Sequence, residues 1–246
     1  MIPYQRAIFT AFMVIVALQM HCLAQVGVQK VAVRQNRRTK ENAPAIIDQT
    51  TGKRITMAQY NQLINENPYA YHLVPDYDEF GQPSSYTLRV STDEERETHQ
   101  FRDRDPARQP KAGQLIAPFR MAGINGKTYR SADLVGQLTI LSFWISLDKP
   151  FWTEKQANDL ADALQAYHSD KPPVVLGVLN SEPPKVNLDG LLPFVAIPNA
   201  YGFHSKYHIT SIPTFIVIDS AGRVMATIQG ANSFGRLKSV LATASQ

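Results

Sequence analysis

Hydrophobic and polar positions divide the second half of the chain into strand and helix patterns. Leu138 to Trp144 and Val174 to Leu179 form two apolar runs, as is typical of parallel strands that are covered on both faces. Between them, Phe151 to His168 has apolar residues at helical spacing, and Pro172 ends the pattern. A strand, a helix and a second strand in this order predict a right-handed crossover in an α/β domain.

A smaller pattern over residues 46–92 predicts an α+β appendage. Ile46 begins a short strand, and Thr56 to Gln59 match a capping box that starts a helix. Two alternating segments, Tyr69 to Leu73 and Tyr86 to Val90, then predict a hairpin with a long loop over residues 75–85. We expect the tyrosines to pack this hairpin onto the larger domain, with a binding face as the alternative.

The first residues are typical of an export signal. Arg6 precedes the apolar run Ala7 to Met20, and Leu23-Ala24 before Gln25 offers a cleavage site. The run is shorter than the roughly 20 residues that span a bilayer. We therefore expect residues 1–24 to be a signal peptide and the protein to be exported to the periplasm or beyond. A retained anchor and lipidation of Cys22 are the alternatives, and no membrane span is expected after cleavage.

Two further segments are distinguished by their charged residues. Residues 25–45 are basic and polar, which predicts a flexible leader, and residues 93–111 mix both signs, which predicts a helix fragment followed by a linker. Arg102 and Arg104 alternate with acidic residues there and would repel calcium. The net charge of +4 is mild and comes without a dense basic stripe, so nucleic acid is not an expected partner.

Two histidines are candidate metal ligands. His204 and His208 stand four apart on an expected helix, which is the spacing of a two-ligand zinc face. The sequence supplies no third ligand at a matching spacing, so we expect a surface pair without metal. No cofactor is predicted.

Two motifs carry a resemblance to a known family. Phe143-Trp144 is followed by a short loop with Pro150, and Thr210 to Phe215 reads Thr-Ser-Ile-Pro-Thr-Phe. Together they resemble the thioredoxin-like superfamily, in particular its redoxin and periplasmic cytochrome-maturation types. The resemblance implies a three-layer α/β fold over residues 112–246, with a central mixed β-sheet flanked by helices. It also implies a cis bond between Ile212 and Pro213.

The same resemblance argues against the family's chemistry. Asp148 and Phe151 stand where the two redox cysteines would be, and the only cysteine, Cys22, lies in the expected signal peptide. Disulfide exchange needs a thiolate. Asp148 is expected to cap the following helix instead. A thiol-disulfide oxidoreductase or peroxidase therefore remains an alternative by family analogy only.

The resemblance also implies a groove that binds an extended peptide, and this function does not depend on the missing cysteines. Strand addition beside Pro213 needs backbone groups and no sulfur. Seven residues are expected to line the groove: Trp144, Leu147, Asp148, Phe151, Ser211, Ile212 and Pro213. The sequence therefore predicts an exported, redox-inactive module that binds a peptide or protein partner. A structural scaffold whose appendage makes the contacts is the competing hypothesis.

Overall fold

The computed structural model describes residues 44–183 and 192–244. The expected signal peptide and nearly all of the expected leader lie outside the described residues. From Pro44 onward the chain forms one compact unit. No helix within the described ranges is long and apolar enough to cross a membrane.

Regular elements alternate along both described ranges. The strands are β1 (Ala45–Asp48), β2 (Arg54–Ile55), β3 (Tyr71–Tyr77), β4 (Pro83–Val90), β5 (Arg120–Ala122), β6 (Thr128–Arg130), β7 (Thr139–Trp144), β8 (Val174–Leu179), β9 (Val195–Ile197), β10 (Thr214–Ile218) and β11 (Val224–Gln229). The helices are α1 (Met57–Glu66), α2 (Asp93–Thr98), α3 (Glu154–Leu164), α4 (Tyr201–Lys206) and α5 (Ser233–Ala244).

A mixed five-stranded sheet, in the order β11-β10-β7-β8-β9, forms the middle layer of the larger domain. β7, β8 and β9 are parallel to one another, and β10 is antiparallel to both β7 and β11. Strand alternation builds two cores. Ile140 and Trp144 pack with α3 and α5, whereas Leu141 and Phe143 face α4 and the β5–β6 hairpin. These three layers confirm the predicted fold class.

The appendage is a four-stranded sheet in the order β2-β1-β4-β3, with α1 between its strands along the chain. The predicted capping box is present, because Thr56 Oγ1 accepts from the Gln59 N–H at 3.2 Å and Gln59 Oε1 accepts from the Thr56 N–H at 2.8 Å. The predicted long hairpin loop is wrong, since the strands continue inward to Tyr77 and Pro83. Pro75 is tolerated within β3 because that strand lies at the edge of its sheet.

The turn of this hairpin docks on α4 of the larger domain. A Cβ at Gly202 would lie 1.7 Å from the carbonyl oxygen of Gly81, so the two backbones meet with no room for a side chain. Lys206 Nζ donates to the carbonyls of Asp78 at 2.7 Å and Pro118 at 2.6 Å, which joins the turn to the chain before β5. The hairpin thus packs on the larger domain as expected, through its turn and through the end of β3, where Tyr77 contacts Ser205 of α4.

The expected linker is also docked. α2 forms the predicted helix fragment, and residues 99–111, called the docked segment below, follow the surface of the larger domain. Arg104 Nη1 donates to the Ile209 carbonyl at 3.1 Å, and Gln109 Nε2 donates to the His208 carbonyl at 2.9 Å. Gln109 is buried by this contact. A free linker would make no such bonds, so the sequence pattern identified the charges of this segment but not its docking.

Candidate functional site

The two loops that carry the resemblance lie at the same end of the central sheet, where β7 ends and β10 begins. β7 and β10 are antiparallel neighbours with Phe143 opposite Thr214, so the loop after β7 and the loop before β10 meet there. The Ile212–Pro213 bond is cis, as is the Lys149–Pro150 bond. Ile145, directly after β7, is 37% exposed beside this edge.

Asp148 does not cap the following helix. α3 begins at Glu154 and is capped by Thr153, whose Oγ1 accepts from the Gln156 N–H at 3.3 Å. Asp148 lies in the preceding turn, where its N–H donates to Ser146 Oγ at 3.0 Å and its carbonyl accepts from the Phe151 N–H at 2.9 Å. The expectation was wrong because Thr153 and Gln156 form a complete capping box, which starts the helix later.

Trp144 is a core residue and does not reach the surface, where the groove was expected. It is fully buried, with the Trp152 ring centroid 4.7 Å away and the Phe215 ring centroid 6.1 Å away. Leu147 is half-buried against the same core. Of the two residues that the resemblance sets at the cysteine positions, Asp148 is exposed and Phe151 is 44% exposed.

The backbone of Ile212 is unpaired. Within the described residues neither its N–H nor its carbonyl makes a hydrogen bond, although the loop around it is bonded. Ser211 Oγ donates to Gln229 Oε1 at 3.2 Å, and the Ser211 carbonyl accepts from Thr214 Oγ1 at 2.6 Å. Ile212, Ser211 and Pro213 are each half-buried. A fixed loop therefore presents a free donor and a free acceptor next to Pro213.

A cavity of about 470 Å³ lies between this edge and the docked segment. One side comes from the docked segment, and the other comes from the ends of β7 and β8, from α4 and from the loop before Pro213. Its lining residues are Phe101, Arg102, Asp103, Arg104, Ile145, Asn180, Tyr201, His204, Ile209, Thr210 and Ile212. Of the seven groove residues expected from the sequence, only Ile212 lines this cavity.

His204 is the most unusual group in the cavity wall. The ring is fully buried and contacts Phe143 edge to face, with centroids 5.1 Å apart. Burial, with a smaller contribution from the positive charge of Arg104, lowers the pKa of His204 to about 4, so the ring is neutral near pH 7. Nε2 carries the proton, because it lies 3.1 Å from the Val178 carbonyl, which can only accept. Nδ1 is then an acceptor, and it has no partner in the described part of the chain.

The expected surface pair of histidines is therefore wrong. His204 is turned into the core, while His208 is half-buried and accepts the Asp105 N–H on Nδ1 at 3.2 Å. Their four-residue spacing places them on α4 and just beyond its end, where the chain has left the helix. Across residues 44–183 and 192–244, no group of three or more His, Cys, Asp or Glu side chains is arranged to hold a metal ion.

Asn180 supplies a second unpaired acceptor. It follows β8 directly, and its N–H donates to the carbonyl of Ile145 at 3.1 Å, which fixes its backbone beside the end of β7. Its Oδ1 is buried and has no hydrogen-bond partner among the described residues. Sequence reasoning missed Asn180, yet a signal was present, because polar residues at the carboxyl ends of parallel strands are where open α/β sheets bind ligands.

Arginine side chains from the docked segment border the cavity. Arg104 contacts Ser205 Oγ through Nε at 3.4 Å, and its guanidinium carbon lies 4.9 Å from the centre of the Tyr201 ring. Arg102 is exposed and pairs with Glu94 at 3.1 Å. Asp103 bonds the His72 ring of the appendage. The cavity therefore has a charged, mainly basic border, and the unpaired acceptors of His204 and Asn180 lie behind its surface, closed to solvent.

Comparisons with known proteins found similar solved structures. No family model and no curated protein matches the sequence. A putative thiol:disulfide interchange protein DsbE from Chlorobium tepidum is 19% identical, with a TM-score of 0.44, over 56% of this chain and 100% of that one. A putative thioredoxin from Neisseria meningitidis is 25% identical, with a TM-score of 0.41, over 55% and 90%. StoA from Bacillus subtilis is 26% identical, with a TM-score of 0.39, over 52% and 98%.

Both the sheet topology and the layer order agree with the resemblance that the sequence motifs carry. A parallel β7–β8–β9 unit with its crossover helix α3 is continued by the antiparallel pair β10–β11, and helices cover both faces. The larger domain of this chain therefore has the thioredoxin-like fold.

Proposed function

We propose that this protein is an exported, redox-inactive thioredoxin-like module that binds an extended peptide segment of a partner beside Pro213. The observation that carries the proposal is the free N–H and the free carbonyl of Ile212 at an accessible edge. Unpaired backbone groups that lie at the surface can pair with the main chain of an extended peptide. The peptide would bond Ile212 through its main chain and place alternate side chains against the surface.

Apolar side chains next to Ile212 support this proposal. Ile145 is 37% exposed and Phe151 is 44% exposed, although large apolar residues are usually buried. Both belong to the loop that follows β7, at the edge where Pro213 lies. Main-chain bonds would give the affinity and these side chains part of the selectivity.

Redox chemistry is not part of the proposed function, because residues 25–246 contain no cysteine. A carboxylate at position 148 and a phenyl ring at position 151 offer no thiolate to attack a disulfide. Insulin reduction and peroxide consumption by the purified chain, cut before Gln25, should not exceed the buffer background. Turnover in either assay would contradict the redox-inactive part of the proposal.

Peptide binding is tested with a short random-sequence peptide library and the full chain. Ile212→Asp and Phe151→Asp are each expected to weaken the selected peptides by about tenfold or more, because a carboxylate would be desolvated in the groove. Val135→Asp is the matched control, since Val135 is 60% exposed and precedes β7 at the other end of that strand. Amide hydrogen exchange at Ile212 should slow when peptide binds.

Two results would overturn the binding proposal. One is a library from which the chain selects no peptide. The other is a set of selected peptides that bind Ile212→Asp and Val135→Asp equally well and leave the exchange rate of the Ile212 amide unchanged. Either would show that the free backbone groups of this loop do not receive a strand.

Export is the second part of the proposal, and it is supported by the apolar run Ala7 to Met20 after Arg6. Cell fractionation and mass spectrometry of the mature N-terminus test it. A start near Gln25 in the exported fraction is expected. An uncut chain found only in the cytoplasm would contradict it.

A further inference from the structure

We propose that the cavity between the docked segment and the loop before Pro213 receives an acidic side chain of the bound peptide, with Arg104 as its charged partner and Thr210 as a second donor. This specificity rests on the proposed peptide-binding function and extends it from a class of ligand to one kind of side chain. Arg104 and Thr210 both line the cavity. Thr210 is exposed and Arg104 is half-buried, so a ligand that enters from solvent can reach both.

The guanidinium of Arg104 is only partly used by its bonds to the protein. It carries five N–H groups. Nε contacts Ser205 Oγ at 3.4 Å and Nη1 donates to the Ile209 carbonyl at 3.1 Å, whereas Nη2 has no acceptor in the described part of the chain. Arginine binds carboxylates through two parallel N–H groups. The free Nη2 and the second hydrogen of Nη1 form such a pair.

Charges around the cavity leave Arg104 without a neutralising partner. The charged lining residues are Arg102, Asp103 and Arg104, two positive and one negative, so their formal sum is +1. Arg102 pairs with Glu94 at 3.1 Å, and Asp103 bonds the His72 ring. Arg104 has no carboxylate within ion-pair distance among residues 44–183 and 192–244. A peptide carboxylate would supply the missing counter-charge.

The neighbouring histidines respond to this unpaired charge. Burial is the main cause of the lowered pKa of His204 and of His208, and the positive charge of Arg104 contributes to both shifts. The field of Arg104 therefore extends over the part of the surface that a peptide would contact. Asp103 opposes an incoming anion but is directed at the appendage through its bond to His72, so it reduces the preference and does not reverse it.

Other classes of side chain suit this wall less well. A lysine or arginine would meet the charge of Arg104, and the carboxylate of Asp103 is already bonded. An apolar side chain could contact Ile145 but would leave the free N–H groups of Arg104 and the hydroxyl of Thr210 without an acceptor. A glutamine has the shape of a glutamate and lacks its charge, so the comparison of these two isolates the electrostatic part of the recognition.

The two donors lie where a peptide paired with Ile212 would pass. Arg104 bonds the carbonyl of Ile209, Thr210 follows that residue, and Ile212 is two positions further. Two residues of extended chain span about 7 Å. The N–H and the carbonyl of Thr210 are unbonded within the described ranges, like those of Ile212. A strand that pairs with Ile212 would therefore bring a side chain to Arg104 within a few residues.

The test uses the full chain and peptides that it selects from the random library, amidated at the C-terminus so that side chains supply their only carboxylates. Synthetic versions of one selected peptide carry Glu, Gln, Met or Lys at each position in turn. At one position we expect the Glu peptide to bind about fivefold more tightly than the Gln peptide, and the Lys peptide no more tightly than the Gln peptide. The preference should fall to within about twofold when ionic strength rises from about 0.01 M to about 1 M.

Variants at position 104 assign this preference to a charge. Arg104→Gln should reduce it to within about twofold, whereas Arg104→Lys should keep most of it. Both variants lose the fork of N–H groups that holds the docked segment, so a merely structural role of Arg104 would lower the preference equally in both. Lys238→Gln is the matched control, because it removes a positive charge from α5, on the other face of the central sheet, and should leave the preference unchanged.

Asp103→Asn tests the same field with the opposite sign. The asparagine keeps an oxygen that can accept from the His72 ring and removes the negative charge beside the bound carboxylate. The Glu peptide should bind this variant about twofold more tightly than the wild type, and the Gln peptide should bind both equally.

The outcomes separate this specificity from the proposed function. If no peptide binds, both are overturned. If peptides bind and Ile212→Asp weakens them, but no position prefers Glu to Gln, only the acidic specificity is overturned. A preference that survives in Arg104→Gln, or that is lost equally in Arg104→Lys and Arg104→Gln, would overturn it as well, because the charge of Arg104 would then not be what recognises the peptide.

Discussion

A buried histidine at the centre of α4 connects the core of the larger domain to its cavity. The His204 ring lies against Phe143 on one side of the sheet, where most neighbouring side chains are apolar. The bond to the Val178 carbonyl satisfies one nitrogen, and burial keeps the ring neutral by lowering its pKa. The same burial leaves Nδ1 without a partner. The unpaired Nδ1 therefore reduces the stability that burial of this ring contributes.

This arrangement predicts how stability depends on pH. The unfolded histidine binds a proton below a pH of about 6.5, whereas folded His204 does so only below about 4. Between these values the unfolded state binds more protons, so stability falls as the pH is lowered, by about 3 kcal/mol in all. Urea unfolding across this range should show the loss for the wild type.

His204→Phe should remove most of that pH dependence, whatever its effect on stability near neutral pH. His208 remains as an internal comparison, because burial lowers its pKa too and its contribution is the same in both proteins. Parallel stability curves for wild type and variant would contradict the assignment of a neutral, buried His204.

At the scale of elements, both the appendage and the docked segment pack against α4. The hairpin turn of the appendage meets it at Gly202, and the docked segment binds Ser205 and Ile209 at its end. Gly202 permits this because the Gly81 carbonyl occupies the place of a side chain. A six-residue helix with few internal bonds is thereby fixed by its neighbours.

Gly202→Ala tests whether that close approach stabilises the fold. The new Cβ would lie 1.7 Å from a backbone oxygen, which cannot move like a flexible side chain. We expect a loss of about 3 kcal/mol, at the upper end of overpacking effects, measured by urea unfolding.

Gly136→Ala is the matched control, because its φ of +94° is strained for alanine but nothing lies within 4 Å of the added Cβ. That change should cost about 1 kcal/mol through backbone conformation alone. Equal losses for the two variants would show that the hairpin turn is not tightly docked.

At the scale of the whole molecule, local sequence patterns predicted the helices and strands. The positions of the site residues depend on long-range contacts, which those patterns do not contain. The apolar run before Trp144 and the capping box at Thr56 gave correct elements, because such patterns depend on neighbours in sequence. Trp144 was expected in the groove and lies in the core. Asp148 was expected to cap the following helix, but Thr153 is the residue that caps it. His204 was expected at the surface, and its burial follows from the packing of α4 on the sheet, which no local pattern encodes.

The docked segment is the clearest case of such a long-range contact. Its charges resemble those of a flexible linker, and its bonds go to residues about a hundred positions further along, at Ile209 and His208. It forms one wall of the cavity, so the cavity exists only while this segment stays in place.

Limited trypsin digestion of the folded chain tests that docking. Arg104→Ala removes the bonds to Ser205 and Ile209 and the contact with the Tyr201 ring. The two lost hydrogen bonds are together worth about 2 kcal/mol, so cleavage after Arg102 and Arg108 should become about thirtyfold faster, because native-state proteolysis follows local opening.

Arg236→Ala is the matched control for that digestion. Arg236 also donates to a backbone carbonyl, that of Gln229 at 3.2 Å, and it lies on α5. The docked segment contacts only the side chain of Gln229, through Gln109 at 3.1 Å, so the bond that Arg236 makes to the main chain is separate from the docking contact. Its loss should leave cleavage after Arg102 and Arg108 at the wild-type rate. If the wild type is already cut there as fast as Arg104→Ala, the segment is not held by Arg104. The cavity wall would then be open in solution, and a peptide side chain would meet solvent where the structure places Arg104.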